Sequence, residues 1–175
     1  MGGMAKGLMQ TADGTTLVER WKAMLERLGV GVVLVGRSPD YERFGLEVIA
    51  DEPPGIGPLG GLVSLLLRAN PAPSLAFACD MPFVSEVLVE RLLTTSPSAA
   101  ILAPRRHGRW EPLCARYDPA RVLGPAAAQC RGGDHSLKRL LHDVRAVELA
   151  LATDDLEQLR DWDTPEDVAA GDGHA

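Results

Sequence analysis

With 175 residues, 46% of them hydrophobic, the chain has the size and apolar content of one folded domain with one core. A net charge of -6 excludes a broad nucleic-acid surface, which needs clustered Lys and Arg, but leaves room for a small anionic ligand at a local positive group. No apolar run approaches the ~20 residues that cross a bilayer, and the start MGGMAKGLMQTADG lacks the basic-then-apolar order of a signal peptide, so a cytoplasmic protein without a membrane partner is expected.

Residues 1–14 are glycine-rich and read as a loop carrying one cation, Lys6. From Thr16 the pattern is helical: Leu17, Val18, Trp21, Met24, Leu25 and Leu28 share a face, Thr16 with Glu19 forms a capping box, and Gly29 ends the helix. The continuous β-branched run at 30–35 predicts a strand buried on both faces of a parallel sheet. Residues 38–40 read as a loop and 46–50 as the next strand. The following stretch, 52–61, holds three prolines and four glycines, so regular structure resumes only near Leu59, with a helix. A strand is expected over 74–79, then a helix over 85–93 with Val87, Leu88, Leu92 and Leu93 inward. Further strands are expected over 99–103 and 110–117, separated by the basic turn 105–109. Asp118-Pro119 opens a helix with an N-cap and a first-position proline. Another helix follows over 136–142, then a strand over 144–149, and the acids and proline at 163–167 mark a last helix start. Cys79, Cys114 and Cys130 are odd in number and widely spaced, with no CxxC pair, and read as buried reduced thiols. Alternating strands and helices without a repeat or a second domain give a single three-layer α/β domain, residues 1–175, with a mainly parallel sheet.

The chemistry concentrates in residues 46–83. Two apolar strands each end on one aspartate, Asp51 and Asp80, and the helix between them makes a βαβ unit whose crossover sets both aspartates at the carboxyl edge, where open α/β sheets bind ligands. A single Asp after a strand is most often a turn former or a helix cap. Two on one edge are costly without a cation, and Mg²⁺ is commonly held by one or two carboxylates plus substrate phosphates. Gly57, Gly60 and Gly61, around a helix start, either form a stiff turn or let a ligand lie on bare backbone N–H groups. Lys6 is either an ordinary solvated lysine or a point charge for phosphate. Arg105, Arg106 and Arg109 form the densest positive patch in an acidic protein, fit to receive an anionic second substrate, with His107 as a turn residue. Neither His135 nor Ser136 has the partners of a base and nucleophile pair.

The segments MGGMAKGL, VIADEPPGIGPLGGL, FACDMPF, GRWEPLCARY, HSLKRLL and DTPEDV occur in the order seen in molybdenum cofactor guanylyltransferases, the MobA-like nucleotidyltransferases, and the resemblance spans nearly the whole chain. It implies a three-layer α/β/α Rossmann-like fold and transfer of GMP from Mg-GTP to the terminal phosphate of molybdopterin, with or without molybdenum, releasing pyrophosphate. By motif, Asp80 corresponds to the Mg²⁺-binding, catalytic aspartate and Asp51 to a nucleotide-binding aspartate. Lys6 matches the lysine after the glycine loop, and Gly57 and Gly61 match glycines beside the nucleotide. GTP and molybdopterin are then the substrates, and molybdoenzymes or their chaperones the protein partners. Arg105, Arg106 and Arg109 are expected on the pterin phosphate side.

The chain departs from that pattern at three places. The family signature opens with a strand and LAGGxSxRMG, and this chain enters it only at the final Met-Gly, so the domain is expected to lack its first strand. Ala5 stands where the family usually has Asp, and Asp161 and Asp163 stand where many relatives have Asn. Two alternatives follow: a molybdopterin cytidylyltransferase, against which GPLGGL and EPLCA favour guanine by resemblance, and a non-catalytic pseudoenzyme that binds molybdopterin or a partner protein.

Overall fold

The computed structural model describes residues 6–11, 13–36 and 39–162. Its first helix, α1 (Leu17–Arg27), starts on the expected capping box: the Thr16 hydroxyl accepts from the Glu19 N–H, and the Glu19 carboxylate accepts from the Thr16 N–H. Leu17, Val18, Trp21, Met24 and Leu25 face inward, and Gly29, at φ +69°, turns the chain out of the helix. There follow β1 (Val33–Val35), a 3-10 segment (Pro39–Phe44), β2 (Glu47–Ile49), α2 (Pro58–Ala69) and β3 (Ser74–Phe77). Next come α3 (Glu86–Thr94), β4 (Ile101–Ala103), β5 (Arg105–Arg106), β6 (Arg109–Trp110) and β7 (Cys114–Tyr117). The remaining elements are α4 (Pro119–Arg131), α5 (Leu137–Asp143), β8 (Val147–Glu148) and a 3-10 segment (Asp154–Leu159). The helix start expected at 163–167 lies outside the described residues.

The strands form a parallel pair, β1–β2, and a four-stranded sheet in the order β3-β7-β4-β8. In the latter β4 and β8 run parallel, while β7 is antiparallel to both of its neighbours. Strand alternation divides the side chains between two apolar clusters. Ala76, Ile101, Ala103, Ala115 and Tyr117 pack with α2, α4 and α5, whereas Phe77, Leu102 and Cys114 pack with α1 and α3. Helices thus cover both faces, which gives the three-layer α/β/α arrangement. No helix among the described residues is long and apolar enough to cross a membrane.

Several expectations are corrected. The strand expected over 110–117 is interrupted: Trp110 ends a hairpin whose turn residues, His107 and Gly108, have φ of +50° and +74°. Pro112 then has no N–H for a ladder, and the Cys114 N–H turns back to the Glu111 carbonyl at 3.1 Å. The 30–35 run is not buried on both faces; Val33, Leu34 and Val35 are half-buried, because β1 is paired along one edge only. In α3 the inward residues are Leu88, Val89 and Leu92, with Val87 63% exposed, so the buried stripe is rotated by one position from the expected one. Residues 39–44 wind into a 3-10 turn instead of an open loop. All three cysteines are free, but only Cys114 is buried, and burial pushes its thiol up to about 12.

β2 and β3 are not hydrogen-bonded to each other, and α2 joins them. The carboxyl end of β2 meets the start of α2, where the Asp51 side chain lies against Gly61. Its amino end meets the finish of α2, where Glu47 accepts from Arg68 at 2.8 Å. Four residues then lead from Ala69 to the amino end of β3. The crossover expected from the sequence is therefore present, although its two strands belong to separate ladders.

One buried cation holds α3 to the sheet. Arg116, 4% exposed in β7, donates to the carbonyls of Leu92 at 2.8 Å and Leu93 at 3.0 Å and also to that of Ser96, satisfying acceptors at the open end of α3. Replacing it by Met keeps the apolar stem but strands those carbonyls, so Arg116→Met is expected to lower unfolding stability by about 2–4 kcal/mol, read from the urea midpoint.

Candidate functional site

The site is built around the first turn of α2. Gly57 precedes it at φ +73°, a conformation that disfavours any side chain, and no side chain caps the turn. Pro58 takes the first helical position, which suits its missing N–H. Asp51, two residues beyond β2, reaches this turn because Gly61 has no side chain: a Cβ there would lie 3.2 Å from Asp51 Oδ1 and 3.0 Å from Val35 Cγ1. Gly60 does something different. A Cβ on it would lie 2.4 Å from the Pro53 carbonyl oxygen, so its bare backbone packs the 52–53 strap instead of facing a ligand, against the expectation that all three glycines would do so.

Asp80 follows β3. Its carboxylate accepts from Lys6 Nζ at 2.7 Å, and only 13% of its side chain is exposed. Its carbonyl accepts from the Trp162 N–H at 2.8 Å, and the buried Trp162 indole packs edge-on to Phe83 with ring centroids 6.0 Å apart. The 160–162 segment thereby clamps the loop that carries Asp80. Cys79 and Tyr41 line the same cavity beside it. Burial, followed by the Asp80 charge, raises the Cys79 thiol, and burial, followed by the thiol, raises the Tyr41 phenol; both stay protonated at neutral pH and are poor nucleophiles. A Cβ on Gly7 would lie 2.7 Å from Val18 Cγ2 and 3.1 Å from the Tyr41 hydroxyl oxygen, so Lys6 is delivered by a residue that must be small.

A cavity of about 770 Å³ collects these groups: Asp51, Gly57, Gly61, Tyr41, Cys79 and Asp80 all line it, and Lys6 reaches it through Asp80. All five residues expected at the site, Lys6, Asp51, Gly57, Gly61 and Asp80, are thus brought together. Tyr41, Gly7 and Trp162 are additions that no local pattern in the sequence marks. The basic turn is not brought in. Arg105 stacks on Trp110, 4.0 Å from the ring centroid, and pairs with Glu148, while Arg106 donates to the Leu159 carbonyl and pairs with Asp161 at 3.9 Å. Neither arginine, nor Arg109, lines the cavity. Among the described residues no three His, Cys, Asp or Glu side chains converge on a point. A hard cation here would have to share its oxygens with a ligand, which is how Mg²⁺ is commonly held on one or two carboxylates and a polyphosphate.

The arrangement is two strand-end carboxylates, a lysine and a helix N-terminus without a side-chain cap around one cavity, at the edge where open α/β sheets bind ligands. Residues 1–149 match the family described as the MobA-like NTP transferase domain. The chain belongs to this family. Its relatives agree. A molybdenum cofactor guanylyltransferase of Pseudomonas putida is 31% identical over 95% of this chain and 87% of its own length. A probable molybdenum cofactor guanylyltransferase of Clostridium perfringens is 38% identical over 87 residues, and there the alignment spans 49% of this chain and 44% of the relative. Among solved structures, molybdopterin-guanine dinucleotide biosynthesis protein A from Archaeoglobus fulgidus superposes with a TM-score of 0.78 at 22% identity, covering 97% of this chain and 90% of that one, a likeness of fold. The MobA-like assignment agrees with the three-layer architecture and with the strand-end aspartates.

The two neighbouring glycines make separable predictions. Gly60→Ala drives a methyl into backbone and is expected to lose about 1–3 kcal/mol. At Gly61 the gain in helix propensity of up to ~1 kcal/mol offsets a contact that Val35 and Asp51 can relieve, so Gly61→Ala should unfold near the parent midpoint. The same substitution moves the Asp51 carboxylate and should weaken nucleotide binding several-fold, measured by titration calorimetry.

Proposed function

We propose that this chain is a molybdenum cofactor guanylyltransferase, transferring GMP from GTP to the terminal phosphate of molybdopterin, with or without molybdenum, and releasing pyrophosphate. The observation that carries the reading is the convergence of Asp51, Asp80, Lys6 and the glycine-led start of α2 on one cavity, in a MobA-like chain whose relatives carry that name along most of its length. The product would pass to molybdoenzymes or their chaperones in the cytoplasm.

In this reading an oxygen of the acceptor phosphate attacks the α-phosphorus of GTP. The new P–O bond forms as the bond to the β-phosphate bridging oxygen breaks, and the electron pair leaves with pyrophosphate. Alignment and charge neutralisation govern such a step more than a protein nucleophile does, in keeping with the protonated state of Cys79 and Tyr41. The positive end of the α2 dipole, at Gly57 and Pro58 on the cavity wall, faces the phosphates. Lys6, whose ammonium donates to Asp80 at 2.7 Å, turns toward the triphosphate and offsets its charge. Asp51, fixed against Gly61, orients the nucleotide. Mg²⁺ held by Asp80 and phosphate oxygens would add Lewis-acid neutralisation of the leaving group.

The test is nucleotide-dependent consumption of molybdopterin with Mg²⁺ and either GTP or CTP, run on this chain and on an amino-terminally extended form. GMP incorporation is expected. CMP incorporation instead would make the enzyme a cytidylyltransferase, and use of neither nucleotide by either form would leave a binding module. Asp80→Asn should lower transfer by about 10²–10³-fold. Its unfolding free energy should stay within ~1 kcal/mol of the parent, because the lost Lys6 pair is part-exposed and of little net worth.

A further inference from the structure

The loop that carries Asp80 is held by contacts distant in sequence. Ala78, just past β3, still donates its N–H to the Leu113 carbonyl at 2.8 Å. Beyond it the 158–162 segment takes over. The Ser85 N–H and hydroxyl donate to Gln158 Oε1 at 3.1 and 2.7 Å, and the Arg160 guanidinium lies over the Phe83 ring, 5.3 Å from its centroid. The Trp162 N–H then reaches the Asp80 carbonyl at 2.8 Å. Arg106 grips the same segment from the hairpin. Its guanidinium donates at 3.3 Å to the Leu159 carbonyl, at the open end of the 3-10 turn, and stands 3.9 Å from the Asp161 carboxylate. Asp161 is followed directly by Trp162, so the residue paired with Arg106 and the residue bonded to Asp80 are consecutive.

We propose that Arg106 is a positioning residue for Asp80, acting through residues 159–162, in place of the direct contact with an acceptor phosphate that its charge suggests. Arg106 does not line the cavity, and its side chain is only 26% exposed. Both groups on which its guanidinium is spent belong to one short segment. The hairpin gives it a firm base: Arg106 pairs with Arg109 in β5–β6, directly after the fully buried β4. Leu159 and Trp162, each 2% exposed, seat the segment from its other side. Three residues span at most ~11 Å, so a chain fixed at 159 and 161 has little freedom to carry the Trp162 N–H away from Asp80. That matters for a carboxylate offered to Mg²⁺, which demands near-ideal geometry, and a misplacement of about 1 Å can cost a hundredfold. The inference rests on the guanylyltransferase reading for what Asp80 does, and on contacts alone for how Arg106 reaches it.

The test compares Arg106→Gln with Arg106→Lys, which keeps a cationic donor for the Leu159 carbonyl and Asp161. In Arg106→Gln the Trp162 amide is expected to exchange about tenfold faster while the Leu102 amide, in the core, keeps its rate. Calorimetry with GTP should show affinity falling about tenfold in the presence of Mg²⁺ and unchanged in its absence. In transfer assays the half-saturating Mg²⁺ concentration should rise, with KM for molybdopterin within twofold of the parent. Arg106→Lys should restore most of each effect, and in an Asp80→Asn background Arg106→Gln should leave nucleotide affinity where it is. An unchanged Trp162 exchange rate would overturn the proposal. So would a several-fold higher KM for molybdopterin with an unaltered Mg²⁺ requirement, which would put Arg106 on the acceptor, or a loss that adds in full to that of Asp80→Asn. Exchange at Trp162 needs no nucleotide, so failure of the Arg106 contact is told apart from failure of the guanylyltransferase reading, which would show as a parent chain that binds no GTP.

Discussion

The position of α2 decides where everything else in the site can be. Its first turn packs so closely on the strap after β2 that Gly60 has no room for a methyl group against the Pro53 carbonyl, and Gly61 has barely more against Asp51 and Val35. At its other end Arg68 reaches Glu47 at the opposite end of β2. One rigid helix thus fixes the direction of β2, brings Asp51 to an uncapped N-terminus and returns the chain to start β3, which ends on Asp80. The two carboxylates meet the same cavity because of this crossover, and not because β2 and β3 are neighbours in a ladder.

Charge is handled locally in an acidic protein. Arg105 and Arg106 of the hairpin are engaged by Glu148, Asp161 and a backbone carbonyl, and Arg116 is engaged by three more carbonyls inside the fold. Lys6 differs in place more than in strength: its ammonium bonds a carboxylate that itself faces the cavity. A polyphosphate arriving there can draw the ammonium over without opening any buried structure, because the lysine side chain is 46% exposed. The pair therefore sets a cation beside a carboxylate on the cavity wall.

What could be read from the sequence was what depends on near neighbours along the chain. The Thr16–Glu19 box and the Asp118 cap before Pro119 are side chains bonding backbone two or three residues away, and each is present. Residue identities at strand ends, together with the family resemblance, located Asp51, Asp80, Lys6, Gly57 and Gly61. What escaped depends on distant partners. Gly60 and Gly61 are adjacent and chemically identical, and only the fold gives one to packing and the other to the cavity. Lys6 and Asp80 bond across 74 positions. Arg116 in a short strand reads as a solvated charge until α3 is placed with its carbonyls over it, and Tyr41 is marked by nothing until Gly7 and Cys79 close around it.

The interrupted sheet and the site are one problem. Asp51 belongs with the β1–β2 pair and Asp80 with the four-stranded sheet, so the cavity spans the seam between them. What crosses that seam is α2, the Tyr41–Cys79 contact, and α1, whose Trp21 stacks on Phe77 at 4.5 Å while its Val18 holds Gly7. No ladder hydrogen bond is among them. A ligand touching Asp51 on one side and Asp80 on the other binds only the arrangement in which the two halves are in register, and it stabilises that arrangement in proportion to its own affinity.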